Sequence, residues 1–171
     1  PPTGMAQFWG DVYQSESDRG KMRLFDQHQS DYSEINSEAR NSIANASILA
    51  GDIFSGDEGI QGHKLAEMLT QTALHESGGG KYTEQQGGGP AQGYWQVEPT
   101  TARDLLKNSS AYFGPKAKSA VNEAMGRNVD LNNISDDDLN SLLKTPMGGA
   151  VFGGAKYLAG AKAKGRLDFL R

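Results

Sequence analysis

The chain has 171 residues, a hydrophobic fraction of 36% and a formal net charge of -4, which suits one globular domain with an appended segment. No run approaches the roughly 18 apolar residues of a membrane span, and the first residues lack the basic-then-apolar pattern of a secretory signal, so we expect neither in this chain. The absence of cysteine excludes disulfides and thiolate metal sites, and the few bases, not interleaved with aromatic residues, argue against nucleic acid as a partner.

Charge is distributed unevenly along the chain. Residues 1–60 carry ten acids and four bases, whereas residues 61–171 carry eleven acids and thirteen bases. The last sixteen residues hold a single acid, Asp168, and five bases, which are Lys156, Lys162, Lys164, Arg166 and Arg171. A basic end close to a binding site would favour an anionic polymer such as the bacterial cell wall, and solvated surface charge is the alternative.

The first strong helical pattern follows a polar lead-in. Residues 1–34 show no clear periodicity, and we expect a loosely helical segment there. Residues 36–50 repeat apolar side chains at helical spacing, and Gly51 is the expected stop. The repeating positions are Ala39, Ile43, Ala46 and Ala50.

A turn-rich connector at residues 51–59 marks the predicted domain boundary. It separates a helical N-terminal lead-in of unknown role, residues 1–55, from the main domain, residues 56–171. We expect the lead-in to be dispensable for chemistry, because it holds none of the candidate site residues.

The clearest helix of the sequence, residues 61–77, carries a candidate catalytic acid near its end. Glu76 continues an apolar stripe at steps of three and four residues. The stripe consists of Leu65, Met68, Leu69, Thr72 and Ala73. Partial burial of Glu76 would disfavour its charged form, as a general acid working near neutral pH requires. The alternative is that Glu76 pairs with a lysine near the helix end.

Two glycine triplets follow this helix. Gly78-Gly79-Gly80 should end it, and Gly87-Gly88-Gly89 gives a second turn in a loop that a short β-hairpin would also fit. The loop can bend back so that residues 93–102, GYWQVEPTTA, face Glu76. A positioned acid beside a polar and aromatic groove is what glycoside cleavage requires.

The remaining sequence predicts further helices. One begins after Pro99, a second covers about 115–125, and a third is capped by Ser135. The last, from Thr145, is rich in glycine and alanine, so we expect a tightly packed central helix with Tyr157 as its one large amphipathic side chain.

Other common sites are not supported. No second histidine follows His75 at zinc-protease spacing, and the glycines before Lys81 lack the spacing of a phosphate-binding loop. The three histidines are dispersed, which gives little support to a Ser-His-Asp arrangement. We expect no metal and no cofactor.

Three blocks, taken in order, resemble the soluble-lytic-transglycosylase-like family of lytic transglycosylases, which is related to goose-type lysozyme. They are Glu76-Ser77 at the helix end, the GYWQVEPTTA block, and residues 150–158, AVFGGAKYL. In the second block, Tyr94-Trp95 replaces the Leu-Met of the family pattern, and Glu98 occupies a variable position. The sequence around both glycine triplets is most similar to the versions of this domain carried by bacteriophage virion proteins.

The resemblance implies a mainly α, lysozyme-like α+β fold with a glycine-rich loop or small hairpin forming a glycan groove. It implies that Glu76 protonates the glycosidic oxygen between N-acetylmuramic acid and N-acetylglucosamine, and then acts as base while the muramic C6 hydroxyl closes an anhydro ring. The substrate-binding residues that it implies are Ser77, Gly93, Tyr94, Trp95, Gln96 and Tyr157. For Trp95, ordinary core packing is an equal alternative.

The reaction type and setting are open at this point. Hydrolysis would need a second carboxylate, and Glu84 and Glu98 are the candidates in this stretch. Neither is well placed, so the sequence favours a transglycosylase over a hydrolysing muramidase. A noncatalytic wall-binding or structural virion module is the remaining alternative. The expected partners are peptidoglycan glycan strands and other virion proteins, and the expected location is the virion or the host periplasm and cell wall.

Overall fold

The protein is mainly helical in the computed structural model, which describes residues 37–78, 83–108 and 112–171. These ranges contain six α-helices: α1 (Ser37–Phe54), α2 (Gly62–Glu76), α3 (Pro99–Asn108), α4 (Pro115–Met125), α5 (Asp136–Lys144) and α6 (Pro146–Ala163). Short 3₁₀ turns occur at Asp57–Gly59, Gln86–Gly88, Leu131–Asn133 and Leu167–Leu170. The described residues form no strand, only isolated antiparallel bridges that join Glu84 to Gln92 and Gln92 to Val97. The mainly α class is therefore confirmed.

Gly51 does not end the first helix, and that prediction is wrong. Helix α1 continues to Phe54. A Cβ on Gly51 would lie 2.4 Å from the carbonyl oxygen of Gly62, and a Cβ on Gly62 would lie 2.8 Å from the carbonyl oxygen of Gly51. The two glycines thus allow α1 and α2 to cross at close range, a tertiary role that the local pattern does not reveal.

Helix α1 belongs to the core of the main domain. Its buried hydrophobic residues are Ala39, Ile43, Ala44, Ala46, Ala50 and Phe54, and all but Ala39 join one hydrophobic cluster with residues of α2 and α6. The Phe54 ring lies against α6, since a Cβ on Gly154 would be 2.9 Å from its Cε2 atom. The boundary predicted at residue 55 therefore does not divide the core, because residues 37–54 pack with the main domain. The predicted helical lead-in at residues 1–34 lies outside the described residues.

Helix α6 is the central, tightly packed element that its glycine and alanine content predicts. The Thr145 hydroxyl caps its first turn by accepting a 3.0 Å hydrogen bond from the amide of Gly148. Its buried positions are Gly148, Gly149, Ala150, Val151, Phe152, Gly153, Gly154, Ala155 and Leu158. The small residues among them let neighbouring side chains lie directly on its backbone.

The last turn of the chain closes against the start of α2. The amide of Gln61 donates a 2.6 Å hydrogen bond to the carbonyl of Leu170, and Lys64 Nζ donates a 2.7 Å bond to the carbonyl of Arg171. Leu167 and Leu170 are buried, whereas Phe169 between them is exposed. Among the described helices, none combines the length and the apolar content that a membrane span needs.

Candidate active site

An open groove of about 350 Å³ lies between α2, α6 and the C-terminal turn. Its lining residues are Leu69, Thr72, Glu76, Trp95, Gly153, Lys156, Tyr157, Gly160, Ala161, Lys164, Arg166 and Phe169. The lining residues of each helix are three and four residues apart, so each helix presents one face to the groove. The groove therefore brings together side chains that are far apart in sequence.

Glu76 is the last residue of α2 and lines this groove. Its side chain is exposed, so the predicted partial burial is wrong. Ala73, one turn earlier, is fully buried, and the stripe leaves the edge of the core before it reaches Glu76. No lysine or arginine of the described residues forms an ion pair with Glu76. The alternative interpretation, in which Glu76 pairs with a lysine near the helix end, is therefore not supported among these residues.

Trp95 is a core residue whose indole also contributes to the groove. Its side chain is only 3% exposed, and Nε1 donates a 2.9 Å hydrogen bond to the carbonyl oxygen of Leu69 in α2. On the other side, a Cβ on Gly149 or Gly153 of α6 would lie 3.0 Å from indole atoms. The core-packing interpretation is therefore confirmed, because the indole holds α2 to α6, and the same indole also lines the groove.

The turn that holds Trp95 depends on Gly93 and Gln96. Gly93 has φ 77°, and a Cβ there would lie 2.0 Å from the carbonyl oxygen of Leu143, so only glycine fits. Gln96 has φ 48°, a left-handed conformation that costs free energy for a residue with a side chain. Its Nε2 donates a 2.9 Å bond to the Gly93 carbonyl. Neither residue lines the groove, so both act on it through the position of Trp95.

Ser77 and Tyr94 also lie outside the groove lining. The Ser77 hydroxyl is buried and donates to the carbonyl of Ala73, one turn back in α2. Tyr94 is half-buried against the core, and burial, with a smaller effect of the Glu38 carboxylate, raises the pKa of its phenol above 10.0. In this structure both residues support the scaffold of the site.

Tyr157 lines the groove from helix α6. It is 37% exposed on α6 and lines the groove together with Glu76 and Trp95. Gly160, one turn after it, also lines the groove, and a Cβ there would meet no other atom within 4 Å. An exposed ring beside a carboxyl can pack on a sugar face while its hydroxyl reaches a polar group.

The two candidate second acids do not line the groove. The Glu84 carboxylate accepts a 2.9 Å hydrogen bond from Lys144 Nζ, and this ion pair lowers the pKa of Glu84 below its ordinary value of 4.5. Glu98 is exposed just before α3. Among the described residues that line the groove, Glu76 is the one carboxylic acid.

No family model, curated protein or solved structure matches this chain.

The groove also contains residues that the sequence did not assign to the site. Thr72 belongs to the same stripe as Glu76, a signal that could have identified it. Phe169 is 72% exposed at the rim, and nothing in its local sequence marks it. Lys156, Lys164 and Arg166 come from the basic C-terminal segment. The excess of bases is visible in the sequence, but the sequence does not show that these three side chains line the groove. The described residues hold no cluster of histidine and acidic side chains that could bind a metal ion.

Proposed function

We propose that the protein cleaves the β-1,4 bond between N-acetylmuramic acid and N-acetylglucosamine in peptidoglycan, on a lysozyme-like scaffold. One observation carries the proposal: the three sequence blocks that resemble lytic transglycosylases meet around one groove. Glu76 from the first block, Trp95 from the second and Tyr157 from the third all line it. Three blocks that are separated in sequence thus each contribute a residue to one groove, as the resemblance implies.

In the proposed reaction, Glu76 is the general acid and then the general base. Its carboxyl proton passes to the leaving glycosidic oxygen as the bond from that oxygen to the muramic C1 breaks. The C6 hydroxyl of the same sugar forms a new bond to C1 and returns its proton to the Glu76 carboxylate. No water is consumed. A glycan strand lying along the groove would itself exclude water from the exposed carboxyl.

The position of the acids supports transglycosylation over hydrolysis. Hydrolysing glycosidases use two carboxylates separated by roughly 5–10 Å across the scissile bond. The described lining supplies Glu76 alone, and the carboxylate of Glu84 is engaged by Lys144. A substrate that provides its own nucleophile needs only one acid.

The resemblance to bacteriophage virion proteins suggests the setting. We infer that the protein opens the cell wall locally during infection, as part of a virion or in the host periplasm, with glycan strands and other virion proteins as partners.

Clearing of purified cell walls, followed by turbidity, tests this function. The parent protein should clear the suspension, and Glu76→Gln should lower the rate by about 100-fold or more, because general acid catalysis contributes factors of that size. Glu123→Gln is the matched control, since Glu123 is also an exposed glutamate in the last turn of a helix but lies outside the groove. A Glu76→Gln rate close to that of the parent would refute the assignment. Wall binding without clearing by the parent would indicate a noncatalytic module.

A further inference from the structure

The five bases of the C-terminal segment fall into two groups in the structure. Lys162 Nζ lies 2.7 Å from a carboxylate oxygen of Glu58, and Arg171 lies 2.6 Å from Asp168. The other three, Lys156, Lys164 and Arg166, are exposed and line the groove. Within the described ranges, no acidic side chain forms an ion pair with any of these three.

The three groove cations come from the second half of α6 and from the residues that follow it. Lys156 lies on the face of α6 that also carries Gly160, where an added Cβ would meet no other atom within 4 Å, and Lys164 is the residue directly after the helix. Arg166 follows the end of that helix. The open surface at Gly160 therefore leaves room for a ligand to reach the cations. Guanidinium and ammonium groups that line one groove suit carboxylate or phosphate oxygens.

We propose that Lys156, Lys164 and Arg166 bind free carboxylates carried by the substituents of the same glycan strand that Glu76 cleaves. This inference rests on the proposed function and specifies its substrate as an anionic, carboxylate-bearing glycan rather than a neutral one. The cations and Glu76 share a groove of about 350 Å³, which has room for only a few sugar units. The bound anion must then be attached at or beside the sugars of the scissile bond, which favours carboxylates over the phosphates of a separate wall polymer.

Phe169 gives the same groove a contact that does not depend on charge. Its ring is 72% exposed at the rim and can pack on a sugar face. Loss of this ring should weaken the binding of neutral and charged glycans alike, whereas loss of the cations should weaken only the binding of charged glycans. The two kinds of variant therefore separate general glycan binding from recognition of carboxylates.

Sedimentation with insoluble walls tests the proposal on the full chain carrying Glu76→Gln, which should bind without cleaving. The walls are first stripped of phosphate polymers with hydrofluoric acid, and half are then amidated at their carboxyls. Replacing Lys156, Lys164 and Arg166 by glutamine should weaken binding to the carboxylate walls by roughly tenfold or more, since one exposed charge pair contributes about two- to fivefold. Binding to the amidated walls should not change. The preference of the Glu76→Gln chain for carboxylate walls should also decrease with added salt.

A second triple variant controls for the loss of net charge. Lys107, Lys116 and Lys118 are exposed and lie outside the groove, and their replacement by glutamine should change binding less than about twofold. Equal effects of the two triple variants, or equal binding of the Glu76→Gln chain to both wall preparations, would overturn the proposal. So would an absence of binding to the carboxylate walls.

Two further comparisons distinguish carboxylate from phosphate as the bound anion, and distinguish this inference from the proposed function. A loss of affinity when hydrofluoric acid removes the phosphate polymers would assign the cations to phosphate and refute the carboxylate. Because binding is measured on Glu76→Gln, charge-selective binding would survive even if the parent released no fragments and the proposed cleavage failed. Conversely, cleavage by the parent without charge selectivity would leave the proposed function intact and reject this inference.

Discussion

Gly153 lies in α6 against the indole of Trp95, and its replacement by alanine tests how the site is built. A Cβ at this position would lie 3.0 Å from Cδ1 and Cγ of the indole. The indole cannot readily shift, because it is buried and its Nε1 is bonded to the Leu69 carbonyl. Overpacking of this kind costs about 1–3 kcal/mol, whereas alanine in place of glycine in a helix returns about 1 kcal/mol. We expect Gly153→Ala to lower the free energy of unfolding by about 0–2 kcal/mol.

Gly160→Ala is the matched control in the same helix. A Cβ on Gly160 would meet no other atom within 4 Å, so the substitution should raise the free energy of unfolding by about 1 kcal/mol through helix propensity alone. Since propensity cancels between the two variants, their difference of about 1–3 kcal/mol measures the contact with the indole. Urea unfolding followed by circular dichroism gives both values. Equal stability of the two variants would refute the position of Trp95 against α6.

Three further predictions follow from the same structure. A chain that begins at Asp57 lacks α1 and its buried residues, so it should show no cooperative thermal transition; a folded, wall-lytic product would contradict the single core. Lys144→Gln should raise the pKa of Glu84 towards 4.5 in a carboxyl NMR titration. The substitution also removes a stabilisation of the folded state, which is present above the unfolded-state pKa and is lost as the pH falls through the lowered pKa. An unchanged titration would refute the ion pair, and wall clearing near neutral pH should be unaffected by the substitution. Tyr157→Phe should slow clearing while the free energy of unfolding stays within about 0.5 kcal/mol, whereas reduced stability with unchanged activity would assign the hydroxyl to the scaffold.

The helices were largely predictable because their signals are local. Ser135 was expected to cap α5, and its hydroxyl accepts a 3.1 Å hydrogen bond from the amide of Asp138. The apolar stripe of α2 and the small residues of α6 also gave the right elements. Gly51 misled because a glycine that permits helix crossing looks, in sequence, the same as one that ends a helix. Its partner Gly62 is identified only by the fold.

The site was predictable in its central residues and less so in its surroundings. Glu76 and Tyr157 were selected from the blocks and share a groove, but the exposure of Glu76 depends on where the core ends. Among the C-terminal cations, Lys162 forms an ion pair with Glu58, which is distant in sequence. Local charge counting cannot separate Lys162 from Lys164, two residues further along the chain.

Mass spectrometry of the products released from purified peptidoglycan tests the central claim most directly. The parent protein should release disaccharide fragments that end in 1,6-anhydromuramic acid and are therefore lighter by one water than the products of hydrolysis. Glu76→Gln should release none, and Glu123→Gln should release the same fragments as the parent. Fragments with a reducing-end muramic acid would make the enzyme a hydrolase and direct attention to Glu84 and Glu98. An absence of released fragments from a folded parent protein would contradict the account.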